Sequence, residues 1–403
     1  MNIVINGASL TGNKGASAMC ITLINSLNRK YSNNINIALL SPKPELDAEL
    51  ASEFGIKIFP YRSVLRKSIP NALVKKFFRF RIIKDDTVLD AYEWASCIID
   101  IHGINFSDSD RLISTAVIPS AQIFLAKILK KPLIKFTQSF GPMKRTSIRI
   151  FARLFLPMAK KLFPRESDAY DELKSLKLKN VDNHYVDSAF LLEPELPNNF
   201  NYIDNKKIRV AFIPNAILLS KSNNYKEACI RLLNNIIELN CHPVVVMHYS
   251  KPSTDTILLD ASSNNDYKLI NEIISECNNP SSIEAYTEEY TSSELKGIIG
   301  TCDISVPSRY HALVASVSQS LPSFCIGWAG KYQGLLSRVG LEDYAFSVDS
   351  KGNFDISNIN DSFIIFLENY KNNLLDISEK VNNLKENSTE SFNMLFKIID
   401  EIK

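Results

Sequence analysis

The sequence predicts an α/β protein made of two parallel-sheet domains facing a central cleft. Three observations carry this. Apolar runs of strand length alternate with amphipathic helical stretches along most of the chain. A Pro-, Asn- and acid-rich stretch from Glu193 to Asn205 interrupts the alternation once. The length of 403 residues suits two domains better than one. Strand–helix–strand alternation implies parallel sheets covered on both faces, the Rossmann-like arrangement.

Residues 2–6 read as a buried strand and 15–29 as a helix with Met19, Leu23 and Leu27 on one face. Strands follow at 36–40 and 96–101, with a helix from about 113 to 130. A strand at 132–138 ends in Ser-Phe-Gly-Pro. Residues 145–161 read as helical, and 181–187 close the first half. The second series starts at Ile208, with a helix near 225–239 and a strand at 243–247. Helices at 267–277 and 292–300, a strand at 303–306, a helix at 312–320 and a short strand at 323–326 follow. The chain is helical from about 360. The expected domains are 1–195, 206–345 and a helical tail, 346–403.

Composition excludes several classes. With 45% hydrophobic and 22% charged residues, the chain is not disordered. A net charge of +2 gives no global field of the kind that marks a nucleic-acid binder. No apolar run is long enough to span a bilayer, and the opening residues read as a strand rather than a signal peptide. The seven Cys form no CxxC pair and read as small buried thiols, which favours a reducing cytoplasm. The five His lack metal-ligand spacing, so no metal site is expected.

The glycine-rich turn Gly7-Ala-Ser-Leu-Thr-Gly12-Asn13-Lys-Gly15 fails both the P-loop and the dinucleotide patterns. It is a place for an anion or a close ligand at a helix N-terminus, or simply a tight turn. The stretch Asp303-Ile-Ser-Val-Pro-Ser308-Arg309-Tyr310-His311 ends a strand and opens a helix. Arg supplies a planar fork for phosphate or carboxylate, and His exchanges protons near neutral pH. The pair reads as an anion site with an acid/base group, or as a structural ion pair with a capping His. Arg165, in Pro164-Arg165-Glu166-Ser167, occupies a similar turn, with Glu166 a salt-bridge partner or a site residue. Lys331 is a candidate cation, and Trp328 either a sugar-stacking face or packing.

These segments together resemble the polysaccharide pyruvyl transferase family from residue 1 to about 345. The resemblance rests on Gly12-Asn13-x-Gly15, Ile99-Asp-Ile-His102-Gly103-Ile-Asn105, Thr137-Gln138-Ser-Phe-Gly-Pro, Pro164-Arg165-Glu166-Ser167 and Val186-Asp187-Ser-Ala-Phe190. The Cys302-to-His311 segment and the Lys331 loop complete it. It implies a GT-B-like fold. It also implies transfer of the pyruvyl group of phosphoenolpyruvate, as a ketal, onto two hydroxyls of a sugar in a cell-surface polysaccharide or its precursor. Arg165 and Arg309 match the donor-binding arginines and His311 the acid/base. Lys331, Ser308, Gly12, Asn13, Gly15, His102, Asn105, Asp108 and Gln138 are candidate substrate contacts, the acceptor being a sugar or a lipid-linked oligosaccharide. Asp108 and Asp110 are acceptor-binding groups or solvated loop acids. No redox cofactor is needed, phosphoenolpyruvate being a co-substrate. The chain departs from the family at Ala16, where an Asp is common, and at His102-Gly103, where a Gly-Gly pair is common.

Residues 61–84 are basic and acid-free with interleaved apolar side chains. They are either a peripheral contact to the inner face of a membrane or a helix with a solvated cationic face. Two rival functions use the same features: a glycosyltransferase taking a nucleotide sugar, and a non-catalytic glycan-assembly protein.

Overall fold

The computed structural model describes residues 1–108, 112–203, 206–249, 265–327, 330–373 and 375–402. The chain divides into two compact units, residues 1–191 with 386–403, and residues 192–385.

The first unit holds strands β1 (Asn2–Asn6), β2 (Asn36–Ser41), β3 (Lys57–Pro60), β4 (Cys97–Asp100), β5 (Ile104–Asn105), β6 (Leu133–Phe140) and β7 (Lys161–Pro164). All pair in parallel in the order β3-β2-β1-β4-β6, with β5 and β7 both against β6. Helices α1 (Lys14–Tyr31), α2 (Pro44–Glu53), α3 (Ile69–Phe78), α4 (Thr87–Trp94), α5 (Ile118–Ile128), α6 (Thr146–Phe155) and α7 (Ser167–Ser175) complete it. Strands β4 and β6 are buried along their whole length, as central strands of a sheet covered on both faces must be.

The structure departs from the sequence reading at three places here. Helix α2, strand β3 and helix α4 occupy a stretch the periodicity left unassigned, because each is only 4 to 10 residues long. The helix expected over 145–161 ends at Phe155, and Pro157 lies in a short 3-10 turn before β7. Residues 181–187, which close the first half, carry one bridge, Val181 to Leu162. The C-terminal residues pack on the first unit. Phe392 meets Phe136 at 5.0 Å between ring centroids, Phe396 meets Tyr31 at 5.7 Å, and the Asn387 side chain accepts from the Val186 N–H.

The second unit holds β8 (Arg209–Ile213), β9 (His242–Val246), β10 (Glu284–Tyr286) and β11 (Ile304–Pro307), parallel in the order β10-β9-β8-β11. Strands β12 (Cys325–Ile326) and β13 (Ala345–Phe346) pair with each other, and a bridge from Ser305 to Ser323 places them beside β11. Its helices are α8 (Tyr225–Glu238), α9 (Asp266–Glu276), α10 (Ser292–Gly300), α11 (Tyr310–Val317), α12 (Gly330–Ser337) and α13 (Ile356–Lys371). A last helix, α14 (Ser378–Asp400), runs from this unit's residues into those of the first. The strand order reverses beside β1 in one unit and beside β8 in the other. The carboxyl ends of β1 and β4, and of β8 and β11, are where open α/β sheets bind ligands. All seven cysteines are buried free thiols.

Candidate active site

In the first unit the loop after β1 is held by a residue the sequence did not single out. Asp47, wholly buried on α2, accepts from the Thr11 N–H (3.0 Å) and the hydroxyls of Thr11 (2.7 Å), Ser9 (3.1 Å) and Ser41 (2.6 Å). Ser9 in turn accepts from the Gly12 N–H at 3.0 Å. Asn13 caps α1: its side-chain oxygen accepts from the N–H groups of Gly15 (3.0 Å) and Ala16 (3.4 Å). The helix N-terminus is thus already partly satisfied by its own cap.

The ends of β4 and β6 form a buried charged network around Asp100. Its carboxylate takes the Lys135 ammonium at 2.7 Å, His102 Nδ1 at 2.6 Å, the His102 N–H at 3.1 Å and the Gln138 amide at 2.8 Å. Burial would raise the Asp100 pKa, but the adjacent Lys135 and His102 outweigh it and hold the carboxyl well below the usual range. The Asn105 and Gln138 side-chain amides lie 3.0 Å apart. Gly7 makes room for this group. Its φ is +96°, and a Cβ there would sit 2.4 Å from His102 Nδ1. His102 and Gln138 thus both meet Asp100, and Asn105 lies beside Gln138.

Arg165 follows β7 and is 3% exposed. It donates to Glu166 (2.8 Å), Asp187 (2.7 Å) and Ser139 (2.7 Å), and its N–H donates to the Gln138 carbonyl. Glu166 is its salt-bridge partner, one of the two readings left open. Asp108 accepts from the N–H groups of Lys144 and Arg145, just before α6, so its carboxylate serves that helix start. Asp110 lies outside the described residues.

The second unit gathers Ser308, Arg309, His311 and Lys331 at the end of β11. Arg309 precedes α11 in an extended conformation and is 9% exposed. Its Nε and Nη2 donate to the two oxygens of the wholly buried Asp266, each at 2.6 Å, a bidentate pair. Asp266 also accepts from the Ala216 N–H at 2.8 Å, and the Tyr249 ring lies 4.9 Å from the guanidinium carbon. The buried Ser308 lends its carbonyl to the Asn215 amide (3.1 Å) and the Tyr332 hydroxyl (3.1 Å). His311, half-buried in the first turn of α11, sits edge-on to Tyr310 at 5.5 Å. Lys331, near the start of α12, lies 4.8 Å from the Tyr310 ring. The result is one guanidinium of fixed plane, one ammonium, one imidazole and a helix N-terminus, a set that can bind an anion and move a proton beside it. Trp328 lies outside the described residues.

The sequence reading gave no role to Asp47, Asp100, Lys135, Asp187 and Asp266, although Asp100 and Asp187 lie in the motifs that carry the family resemblance. Two carried a signal: Lys135 interrupts the apolar run Leu-Ile-Lys-Phe, and Asp100 ends Cys-Ile-Ile-Asp. A charge inside a fully buried strand needs a partner. Asp266 carried none, being 43 residues from Arg309. Among the described residues, no group of three or more His, Cys, Asp or Glu is arranged to hold a metal. Nor is any described helix long and apolar enough to cross a membrane.

Two parallel α/β units, each with its polar groups at the strand ends where the order reverses, define the chain as a protein of the GT-B type. Solved structures agree over nearly the whole length. A UDP-GlcNAc 2-epimerase from Neisseria meningitidis, bound to UDP-GlcNAc, superposes with a TM-score of 0.59 at 13% identity, covering 98% of this chain and 100% of that one. A glycosyltransferase from Rickettsia africae gives 0.58 at 10% identity, with 100% and 98% covered. A putative UDP-N-acetylglucosamine 2-epimerase from Listeria monocytogenes gives 0.57 at 9%, with 99% and 95% covered. At such identities the likeness concerns fold alone. Within that fold the sequence is more specific: the profile of the polysaccharide pyruvyl transferase family matches residues 13–330. The chain belongs to the polysaccharide pyruvyl transferase family.

Proposed function

We propose that the protein transfers the pyruvyl group of phosphoenolpyruvate to two hydroxyls of one sugar, releasing phosphate. The carrying observation is the group at the end of β11: Arg309 locked in plane by Asp266 and Tyr249, His311 in the next turn, and Lys331 beside Tyr310. The donor carries a carboxylate and a phosphate, which suit a planar guanidinium, an ammonium and a helix N-terminus.

In the proposed reaction a proton adds to the donor's methylene carbon, making it a methyl group and leaving an oxocarbenium-like centre at C2. One sugar hydroxyl adds to C2 and loses its proton. The C2–O bond to phosphate then breaks, and a second hydroxyl closes the ketal with loss of its proton. One donor and one diol give one ketal and one phosphate. His311 moves these protons, a contribution of roughly 10²–10⁴ in rate. Arg309 and Lys331 stabilise charge on the departing phosphate. Arg165 as a donor ligand is proposed on the family resemblance, His102, Asn105 and Gln138 as acceptor ligands on their place at the ends of β4, β5 and β6, and a cytoplasmic setting on the seven free buried thiols.

Ligand-induced thermal stabilisation tests the donor. Phosphoenolpyruvate at about 100 times its dissociation constant should add roughly 2.7 kcal/mol. The shift should vanish in Arg309→Ala and persist in His311→Gln, while His311→Gln loses acceptor-dependent phosphate release. Stabilisation by nucleotide sugars alone would replace this reading with that of a glycosyltransferase.

A further inference from the structure

The net charge of +2 conceals a strong separation of charge. Residues 61–84 and 111–165 together hold 20 of the 46 Lys and Arg and none of the 44 Asp and Glu. These segments supply α3, α5 and α6, and α5 packs against both of the others, so the three helices form one layer of the first unit. Lys75 and Arg81 pair with Glu93 and Asp90 on α4. Arg66, Lys76, Arg79, Arg145 and Arg153 are exposed and make no ion pair among the described residues.

The same layer displays apolar side chains. Phe77, Phe78 and Phe80 are 73%, 69% and 58% exposed, and they are the only exposed phenylalanines among the described residues. Ile82, Ile150 and Leu154 are exposed too. Arg79 ends α3 in the left-handed region (φ +64°), and Phe78 and Phe80 flank that turn with ring centroids 6.3 Å apart. The ion pairs to α4 link the end of α3 and Arg81 to the neighbouring helix on either side of this aromatic tip.

We propose that this face docks on an anionic lipid bilayer. Phe77, Phe78 and Phe80 enter the headgroup boundary, and the unpaired cations lie over anionic headgroups. Exposed aromatic side chains interleaved with exposed cations, with acids absent from two long stretches, match that surface in both polarity and charge. A second copy of the chain fits poorly, because a two-fold contact would oppose two faces of the same sign.

Co-sedimentation of the full chain with vesicles tests this independently of any transferase activity. Vesicles of phosphatidylcholine alone are compared with a phosphatidylcholine–phosphatidylglycerol mixture, at low and high salt. Binding is expected only to the mixture, weakening with salt. Each cation removed should weaken it about fivefold, so Lys76→Glu/Arg79→Glu should lose at least about 25-fold. Phe77→Ser/Phe78→Ser should lose binding with an unchanged melting curve, and the second-unit control Lys268→Glu should bind normally. No partitioning into the mixture, or equal partitioning into both vesicles, overturns the proposal. So does self-association of the wild type that Phe77→Ser/Phe78→Ser abolishes, because a second copy would then be the occupant.

Discussion

Removing the carboxylate of Asp266 should damage the second unit more than any single strand-end polar change expected from sequence. Asp266 is wholly buried, and it accepts from Arg309 Nε, Arg309 Nη2 and the Ala216 N–H. Asp266→Asn keeps the shape but deletes the charge, and it turns an amide N–H toward a guanidinium N–H. Arg309, whose side chain is 10% exposed, is then left without this counter-charge, at a cost of about 3–5 kcal/mol. Arg309→Met strands the opposite charge at a similar cost. In the double variant neither charge remains, so its loss should fall below the sum of the singles by about 2–4 kcal/mol. Urea unfolding of the four proteins measures the cycle, and hydrogen exchange locates the change around α9 and α11. If the singles add within about 0.5 kcal/mol, the pair is not coupled and the argument that Asp266 fixes Arg309 is wrong. Donor binding separates the roles further. Asp266→Asn should weaken phosphoenolpyruvate by loosening Arg309, whereas Arg309→Met should abolish it.

Two other outcomes follow from buried groups. Lys296 on α10 is 3% exposed; burial, reinforced by Lys385 and offset by Glu193, lowers its pKa from 10.5 to about 7. Between pH 7 and 10.5 the unfolded chain holds the proton and the folded chain does not, so this group makes stability rise with pH across that window and exerts its full penalty below it. Lys296→Met should therefore stabilise the protein at pH 6 by about 5 kcal/mol, with the gain gone near pH 10.5; a pH-independent gain in urea midpoint would contradict this. Gly7→Ala should cost about 1–2 kcal/mol from its positive φ alone, and its Cβ should push His102 off Asp100. An unchanged His102 imidazole signal by NMR would show that the clash is relieved elsewhere.

The long periodic elements were legible without coordinates. Strands β1, β4, β8 and β11 are largely apolar runs, and α1, α8 and α10 have one clear apolar face, because burial on both sides of a parallel sheet leaves that local pattern. Short elements such as β3 and α4 left none. At the site, Arg165, Arg309 and His311 stood out because strand-to-helix turns and residue chemistry are local. Their partners did not. Asp266 meets Arg309 across 43 residues and Asp187 meets Arg165 across 22, and no periodicity encodes such a pairing.

By itself, then, the sequence determined the class of fold, the family and the residue types at the strand ends, since hydrophobic patterning and turn chemistry act over a few residues. Only the tertiary structure decided which carboxylates hold those cations, where the C-terminal residues pack, and that helices from two acid-free stretches form one layer. These are contacts between residues far apart in the chain, selected by packing and by the requirement that buried charges find partners.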